Sequence, residues 1–573
     1  MKQLTKITVS FSKEIYSESI NGRLLIMLSK DPENEPRFQI SPFPNTQQIF
    51  GIDVNNLKPG ETVEIPNDSF GFPVNSLNKI PTGLYDIQAL IHKYETFHRA
   101  DGTAVKLPMD RGEGQKWNKA PGNLYSIPKQ MNFNSNSNDN INIVIDQVIE
   151  SIEDPENTTY IRYEKIESKL LTNFWGRPMY LGAVILLPEG FDEHPETKYP
   201  LVVWHGHFNR NHYANFRETP PDPNIEPEPS KRKSWKTTKD PYGPDVPRGP
   251  EYIEAPNIVS QRNGYKLYND WKSPGFPRMI IACIQHATPY YDDSYAVNSA
   301  NQGPYGDAIN HELIPYIEEK YRAIGEGWAR TTMGGSTGGW EALATQIFYP
   351  EMYNGCWAWC PDSIDFRDLS LVNIYDDSNA YYIKGPWNRV ARPGFRSTVG
   401  EILYTIKDEN HLEHVKGTQG RSGGQWDIWF ATFGPINNEG YVKFPWNKIT
   451  GKIDPEVTSY WKENYDLRHI LQRDWKILGP NIKGKIHLFC GDMDGYYLNN
   501  AVYLMEEFLE STRNPYYAGR VEYGWRRGHC WYGDNTRSST EDRANMVQRH
   551  IKEMAEHIRK TAPENADTTS WRY

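Results

Sequence analysis

The stretch Met333–Leu343 (MGGSTGGWEAL) decides how the second half of the chain is interpreted. It contains the pattern G-x-S-x-G at Gly334, Ser336 and Gly338. An apolar segment precedes the pattern and a helix-compatible run, Trp340 to Phe348, follows it. The pattern therefore predicts a sharp turn from a strand into a helix, and glycines are needed where such a turn is too tight for side chains.

This turn would place a nucleophile above the edge of a sheet. The hydroxyl of Ser336 would be exposed there, and the backbone amide of Thr337 would lie at a helix N-terminus, where it can stabilise an oxyanion. A glycine-rich turn without chemistry remains an alternative on the motif alone, because Gly and Ser are common residues. A reactive serine also needs a base and an acid that orients the base.

Both partners are available downstream at predicted strand ends. The strand Lys485–Phe489 runs into a loop that contains Asp492 and Asp494, and the last predicted strand runs into a loop that contains His529. Asp494 lies further out on its loop and is the favoured acid, whereas Asp492 is the alternative and fits a loop-capping role. Three such sites together are far more specific than any one alone.

The chain divides into two regions of different pattern. Residues 1–165 contain short alternating apolar runs separated by Pro- and Gly-rich turns, which predicts an all-β sandwich of the immunoglobulin-like type. Residues 166–573 alternate between strand and helix patterns, which predicts an α/β sheet. Two insertions interrupt this second region, a Pro-rich segment at about 207–275 and an irregular, Trp- and Tyr-rich segment at about 362–480 that is a candidate cap.

Composition restricts the partners. The 573 residues include 63 Lys and Arg against 73 Asp and Glu, a net charge of −10, which argues against nucleic acid as the main partner. No apolar run is long enough to predict a membrane span. The N-terminal residues alternate like a strand, so we expect either a secreted or periplasmic protein whose leader was removed, or a cytoplasmic one if Met1 is native. A homo-oligomer is left open.

The loop after the predicted strand at Tyr199–Trp204 is the expected source of a second oxyanion donor. The backbone N–H of His207 is the first candidate and that of Phe208 the second. The histidines at or near this loop also raise a metal alternative, through His205, His207, His212 and His286. Ligands two residues apart without a paired Cys or carboxylate motif make a weak metal signature, so we predict no metal and no cofactor.

Aromatic residues are the candidates for contact with a substrate. The chain contains 13% Phe, Trp and Tyr, and the segment Tyr290–Tyr305 follows a predicted strand end, so it can line a cleft or pack on itself. The predicted substrate-binding residues are Tyr290, Tyr291, Trp340 and Trp531. A disulfide between Cys490 and Cys530 is geometrically conceivable, although two free thiols are the favoured interpretation.

These motifs together resemble a known family. The segments that carry the resemblance are His205-Gly206, Gly334–Gly339, Gly491–Asp494 and Gly528–Trp531. Residues of about 170–560 look like the putative-esterase branch of the α/β-hydrolase superfamily, the group that contains esterase D and the feruloyl, acetylxylan and enterochelin esterases. The resemblance implies an α/β-hydrolase fold preceded by the sandwich, and the Pro-rich insertion and the large cap insertion depart from the family's pattern. It also implies Ser336 as nucleophile, His529 as base and Asp494 as orienting acid.

The predicted function is therefore that of a serine carboxylic-ester hydrolase, working through an acyl-enzyme on a small-molecule or glycan-linked ester, including carbohydrate-linked or aromatic esters. A prolyl-oligopeptidase-like peptidase is one alternative, although the N-terminal β region is too short for the propeller that usually precedes such domains. A catalytically silent carbohydrate-binding or scaffold protein is the other, and the presence of Ser, Asp and His at all three expected places argues against it.

Overall fold

A computed structural model describes residues 5–114, 116–137, 139–208, 216–227, 255–290, 293–385, 389–537 and 539–573. Its N-terminal part is built from two β-sheets, one in the order β10-β1-β4 and one in the order β11-β8-β6-β2-β3-β5, with β7 and β9 also paired to β6. The strands are β1 (Lys6–Phe11), β2 (Ile20–Ser29), β3 (Gln48–Leu57), β4 (Val63–Ile65), β5 (Gly71–Phe72), β6 (Gly83–His98), β7 (Ala104–Leu107), β8 (Leu124–Tyr125), β9 (Lys129–Phe133), β10 (Asn140–Ile145) and β11 (Gln147–Val148).

The two sheets pack face to face, which confirms the predicted sandwich. In β1 the side chains of Ile7, Val9 and Phe11 are buried while their neighbours are more exposed, as expected for a strand with one face on a core. These three side chains share a hydrophobic cluster with residues of β2 such as Leu24 and Ile26. Most pairings are antiparallel, but β1 runs parallel to β10.

The second part of the chain forms an eight-stranded sheet in the order β12-β13-β15-β14-β18-β19-β24-β25. The first two pairings, β12 with β13 and β13 with β15, are antiparallel, and the remaining ones are parallel. Every residue of the central strand β14 is buried, as is typical of a parallel strand covered on both faces. The strands of this region are β12 (Ile161–Glu167), β13 (Tyr180–Leu186), β14 (Leu201–His205), β15 (Ile280–Gln285), β16 (Asn298–Ser299), β17 (Gly303–Pro304), β18 (Arg330–Gly335), β19 (Cys356–Trp359), β20 (Tyr382–Lys384), β21 (Arg389–Ala391), β22 (Pro393–Arg396), β23 (Ile402–Thr405), β24 (Ile486–Gly491) and β25 (Arg520–Gly524).

Helices accompany this sheet, so the predicted α/β fold is confirmed. Within the described ranges they are α1 (Lys169–Trp175), α2 (Pro256–Lys272), α3 (Tyr305–Ala308), α4 (Ile314–Lys320), α5 (Thr337–Phe348), α6 (Ile406–Lys416), α7 (Gln425–Phe433), α8 (Pro455–Tyr465), α9 (Leu467–Ile482), α10 (Leu498–Ser511), α11 (Ser539–Ala544) and α12 (Met546–Thr561). None of the helices in the described part of the chain combines the length and apolarity that a membrane crossing requires.

Both predicted insertions contain more helix than their sequences indicated. The segment at 362–480 was predicted to be irregular, but it holds α6 to α9. Its helix α7 is buried all round from Trp426 to Phe433, so the polar face that makes a helix recognisable in a sequence is missing. The segment at 207–275 contains α2, which begins at Pro256, a position where proline is compatible with a helix. Residues 209–215 and 228–254 of this insertion lie outside the described residues.

The predicted boundary between residues 165 and 166 falls inside β12. This strand pairs along its whole length with β13 and so belongs to the eight-stranded sheet. We therefore propose a division just before Ile161, with residues 1–160 as the sandwich and its connector and the remainder as the hydrolase-like part.

The sandwich and the cap are directly joined. The side chain of Arg23 on β2 is buried, and its Nε donates to the carbonyl oxygen of Val415 in α6 at 2.8 Å. Arg23 also pairs with Asp53 at 3.2 Å, and Asp53 in turn pairs with Arg421 of the cap at 3.1 Å. Leu412 and Val415 of α6 complete a small hydrophobic cluster on the outer face of the sandwich. The N-terminal part therefore holds one cap helix in place.

Replacing Arg23 with alanine is expected to lower the free energy of unfolding by about 2–4 kcal/mol, because Asp53 and the end of α6 would lose a buried charged partner. Urea denaturation followed by tryptophan fluorescence measures the effect. The Lys6→Ala variant is the control, since Lys6 forms only an exposed pair with Glu64, with side-chain exposures of 55% and 46%. Equal stability of the two variants would contradict the role given to Arg23.

Candidate active site

Ser336 lies at the turn between β18 and α5, where the sequence predicts a nucleophile. Its backbone has φ of 58° and ψ of −124°, a strained conformation for a residue with a side chain. The flanking glycines are required by close packing. A Cβ on Gly334 would lie 2.1 Å from the carbonyl oxygen of Gly338, and a Cβ on Gly338 would lie 2.1 Å from that of His205. The motif therefore presses the start of α5 against the end of β14.

The structure brings Ser336, His529 and Asp494 together. The Oγ of Ser336 lies 3.0 Å from Nε2 of His529, and Nδ1 of His529 lies 2.8 Å from Oδ2 of Asp494. The carboxyl group of Asp494 is buried, and the imidazole of His529 is 15% exposed. This arrangement allows a proton to move from the serine to the imidazole while the carboxylate holds the ring.

The two candidate acids differ in what they contact. Besides His529, the carboxylate of Asp494 accepts a hydrogen bond from the backbone N–H of Tyr496 at 2.9 Å, which fixes its orientation. Asp492 lies at the end of β24, and its backbone N–H donates to the carbonyl oxygen of Gly524 on the neighbouring strand at 3.0 Å. The contact with the imidazole of His529 therefore favours Asp494 over Asp492 as the orienting acid.

The loop after β14 has the features expected of an oxyanion-binding loop. Gly206 has φ of 153°, in the region that favours glycine. The backbone N–H of Phe208, the second candidate donor, is already committed to the carbonyl oxygen of Gly206 at 2.9 Å. The side chain of His207 is anchored by Asp293, with Nδ1 2.6 Å from Oδ2. The amide of His207 therefore stays the first candidate donor.

The histidines of the metal alternative do not act as one group. His207 pairs with Asp293, and His212 lies outside the described residues. His205, His286 and Glu341 are completely buried and have donor atoms within 4.8 Å of one another.

The tautomer of His286 does not suit a metal in this buried group. Its Nδ1 accepts a hydrogen bond from the backbone N–H of Ser294 at 3.2 Å, so the neutral ring carries its proton on Nε2, which faces Glu341 at 3.8 Å. A protonated nitrogen offers no lone pair to a metal. Burial lowers the pKa of His286 to about 4 and that of His205 to about 3, so both rings are neutral near pH 7.

Of the predicted substrate-binding aromatics, Tyr290, Trp340 and Trp531 lie behind the site. Tyr290 and Trp340 are completely buried and Trp531 is 4% exposed, while Tyr291 lies outside the described residues. The hydroxyl of Tyr290 accepts a hydrogen bond from the guanidinium of Arg99 on the sandwich. In this structure these side chains have little or no surface to offer a substrate, and they pack the wall of the site.

A cleft of about 590 Å³ approaches the oxyanion loop from the sandwich side. Its lining includes Gly206 and Phe208 of that loop together with residues of β6 and of the loop after β7, among them Glu95 and Arg111. Glu95 forms ion pairs with both Arg111 and Arg177 in this lining. The N-terminal part therefore contributes charged walls to a cleft beside the candidate oxyanion loop.

The sequence interpretation missed a carboxyl group beside the nucleophile. Asp362, in the loop after β19, has Oδ1 3.3 Å from Oγ of Ser336. Its other oxygen accepts hydrogen bonds from Tyr295 and Thr337 at 2.7 and 2.9 Å. The only available signal was its position shortly after a buried strand, which many acidic residues share.

The five cysteines are free, so Cys490 and Cys530 are not bridged in this structure. The sulfur atoms of Cys530 and Cys360 and a ring nitrogen of His529 lie within 4.8 Å of one another. Burial by itself would lower the pKa of His529, but the negative charges of Cys530 and Asp494 outweigh it and raise that pKa well above its ordinary value. The base is therefore more readily protonated than a free imidazole.

This environment predicts the pH dependence of the reaction. Only neutral His529 can accept the serine proton, so kcat/KM should rise with pH through the pKa of His529, with its midpoint above the ordinary histidine value of about 6.5. The Cys530→Ala variant should move the midpoint to lower pH, because one negative neighbour is removed. Cys283→Ala, on β15, serves as the control. Identical midpoints in Cys530→Ala and wild type would contradict the charge effect.

Comparisons with known proteins find similarity in part of the chain. Residues 282–419 match the family model described as "Putative esterase". An uncharacterized protein, YjcH of Bacillus subtilis strain 168, is 30% identical over 105 residues, which is 18% of this chain. The match covers 43% of that protein, so the chain spans less than half the length of this curated relative.

Solved structures of esterases are also similar. A ferulic acid esterase matches with 14% identity and a TM-score of 0.33, covering 69% of this chain and 98% of the other. An S-formylglutathione hydrolase from Agrobacterium tumefaciens matches with 11% identity and a TM-score of 0.34, covering 70% and 98%.

Proposed function

We propose that this protein is a serine carboxylic-ester hydrolase. The observation that carries the proposal is the continuous chain of contacts from Ser336 through His529 to the buried carboxylate of Asp494, at 3.0 and 2.8 Å. The match of residues 282–419 to the "Putative esterase" family model supports the reaction class.

The proposed reaction has two halves. His529 removes the proton of Ser336 as its Oγ attacks the ester carbonyl, and Asp494 stabilises the imidazolium that forms. The backbone amides of Thr337 and His207 would bind the oxyanion of the tetrahedral intermediate. His529 then protonates the leaving alcohol, which departs and leaves an acyl-enzyme. Water, activated by the same histidine, releases the acid in the second half.

We further propose that the substrate is a polar ester attached to a carbohydrate or an aromatic group. The cleft beside the oxyanion loop supports this, since charged groups such as Arg177 and Glu95 line it together with Tyr180, which is 45% exposed. Hydroxyl groups of a glycan can hydrogen-bond to such charged side chains, and the exposed ring of Tyr180 can pack on a sugar or phenyl ring. On this proposal the sandwich forms one wall of the substrate site.

The alternatives predict different behaviour. A prolyl-oligopeptidase-like enzyme would carry a propeller, whereas the described N-terminal residues form two packed sheets. A silent scaffold would leave Ser336 unreactive, although the strained turn and the contacts to His529 are those of an activated serine.

Covalent labelling separates an enzyme from a scaffold. A fluorophosphonate probe should modify wild type at Ser336, located by peptide mass spectrometry, and a Ser336→Ala variant should remain unlabelled. Parallel assays with p-nitrophenyl acetate, feruloyl esters, acetylated xylan and a proline-containing peptide amide identify the substrate class. Absence of labelling and of ester turnover in folded wild-type protein would refute the proposed function.

A further inference from the structure

The carboxyl group of Asp362 is in contact with the candidate nucleophile and has no role in the proton relay. Strand β19 lies beside β18 in register, with Trp359 opposite Gly335, so the loop after β19 comes back to the nucleophile turn. The backbone N–H of Asp362 donates to the carbonyl oxygen of Ser336 at 3.2 Å, which fixes the loop there. The Asp362 side chain is 5% exposed.

The two oxygens of this carboxyl group have different environments. Oδ2 is well supplied with donors, namely the hydroxyls of Tyr295 and Thr337 at 2.7 and 2.9 Å and the amide of Gln425 at 3.4 Å. Tyr295 is itself held by the indole N–H of Trp429 at 2.5 Å. This network orients the carboxyl group rigidly.

Oδ1 has a single hydrogen-bond partner among the described residues, the hydroxyl of Ser336 at 3.3 Å. The same hydroxyl lies 3.0 Å from Nε2 of His529, and it has only one proton to give. When Ser336 donates to His529 for catalysis, Oδ1 is left without a donor. A buried carboxyl oxygen without a partner is unfavourable, so a donor on the bound substrate would be attracted to it.

The position of Oδ1 restricts where that donor lies on the substrate. His529 has to protonate the leaving oxygen, so the leaving alcohol occupies the His529 side of the reacting carbon. Asp362 instead holds the side chain of Thr337, whose amide is the proposed oxyanion donor. A group on the α-carbon of the acyl chain is only three bonds from Oγ in the acyl-enzyme, within reach of an oxygen 3.3 Å from Oγ.

We propose that Asp362 selects esters whose acyl group carries a hydrogen-bond donor, a hydroxyl or an ammonium group, on the carbon next to the carbonyl. This inference rests on the proposed function and names the class of acyl group at the same site. Asp362 is then a specificity-determining residue whose Oδ1 accepts a hydrogen bond from the substrate.

The test compares acyl groups of equal size. Phenyl glycolate and phenyl propionate differ by a hydroxyl in place of a methyl group, and phenyl glycinate carries an ammonium group. Wild type should hydrolyse the glycolate or the glycinate with kcat/KM at least roughly 10-fold above the propionate, because a site built for a donor rejects an analogue that lacks it. A preference for the glycolate would identify the donor as a hydroxyl group, and a preference for the glycinate would identify it as an ammonium group.

Two variants test whether Asp362 causes the preference. Asp362→Asn keeps an oxygen for Tyr295 and Thr337 and can turn an NH₂ donor toward the substrate, and Asp362→Ala removes both oxygens. In each variant the ratio of kcat/KM values for the donor-bearing ester and the propionate should fall by about 10-fold. A role limited to positioning Thr337 would lower all rates equally and leave the ratio unchanged.

The outcomes distinguish this inference from the proposed function. Fluorophosphonate labelling of Ser336 together with a ratio near one in wild type would overturn the acyl preference while leaving the esterase intact. An unchanged ratio in Asp362→Asn would overturn the role of Asp362. Circular dichroism and thermal unfolding establish that each variant is folded. If the Ala variant is unstable, the ratio measured for the isosteric Asn variant tests the role of Asp362.

Discussion

The Ser336→Ala variant should lose roughly 10⁴- to 10⁶-fold of the kcat/KM for short p-nitrophenyl esters. The substitution removes only Oγ, the atom that lies 3.0 Å from Nε2 of His529 and that would form the bond to the substrate carbon. Residual turnover would come from the oxyanion donors and from substrate binding alone. Initial rates measured across substrate concentrations give kcat/KM for the variant and for wild type.

The same variant should remain folded. Alanine meets the same backbone constraint as serine at φ of 58°, so the strain at the turn is unchanged and the free energy of unfolding should change by less than about 1 kcal/mol. Ser459→Ala, on the exposed part of α8, is the matched control for serine removal. Turnover by folded Ser336→Ala at the wild-type rate would exclude Ser336 as the nucleophile.

The second large effect concerns the acid. Asp494→Asn should reduce kcat by about 10²- to 10⁴-fold, because the new amide can donate to Nδ1 of His529 and so stabilise the tautomer that has its proton on Nε2. That tautomer cannot accept the proton of Ser336. The contact that changes is the one of 2.8 Å between Nδ1 and Oδ2. Steady-state kinetics above the pKa of His529 separates this loss from simple protonation of the base.

Asp492→Asn is the matched control on the same loop. Asp492 is two residues away and has the same chemistry, but the described structure gives its carboxyl group no hydrogen bond to His529. Its replacement should therefore leave kcat within a small factor of wild type. A large loss in Asp492→Asn with full activity in Asp494→Asn would reverse the assignment of the acid.

The three residues of the proposed relay could be picked out from the sequence because each one follows a recognisable strand. Ser336, Asp494 and His529 all come shortly after β18, β24 or β25, and glycine residues mark each of the three loops. Since parallel strands place their carboxyl ends at one edge of a sheet, the three loops had to converge. The choice between Asp492 and Asp494 needed the structure, because it depends on which side chain faces the imidazole.

Other parts of the site depend on contacts that no local pattern encodes. Asp362 acquires its position from the pairing of β19 with β18. A cap helix more than 60 residues further along the chain supplies Gln425, which donates to Asp362, and Trp429, which donates to Tyr295. The aromatic residues show the opposite case, in which a local sequence pattern suggested a contact with substrate that the structure does not contain. Trp340 follows the nucleophile turn directly and so looked substrate-facing in the sequence, but helical geometry turns it into the core.

The attachment of α6 to the sandwich limits which parts of this protein can be exchanged for those of a relative. Helix α6 leads through a short loop to α7, and Gln425 of α7 donates to Asp362, which contacts Ser336. Because Arg23 of the sandwich donates to Val415 of α6, the sandwich is connected through the two cap helices to the candidate nucleophile. Exchange of the N-terminal module for an unrelated sandwich would remove the support of the cap helix. Substrate preference is therefore expected to be transferred between relatives only when the sandwich and the cap are moved together.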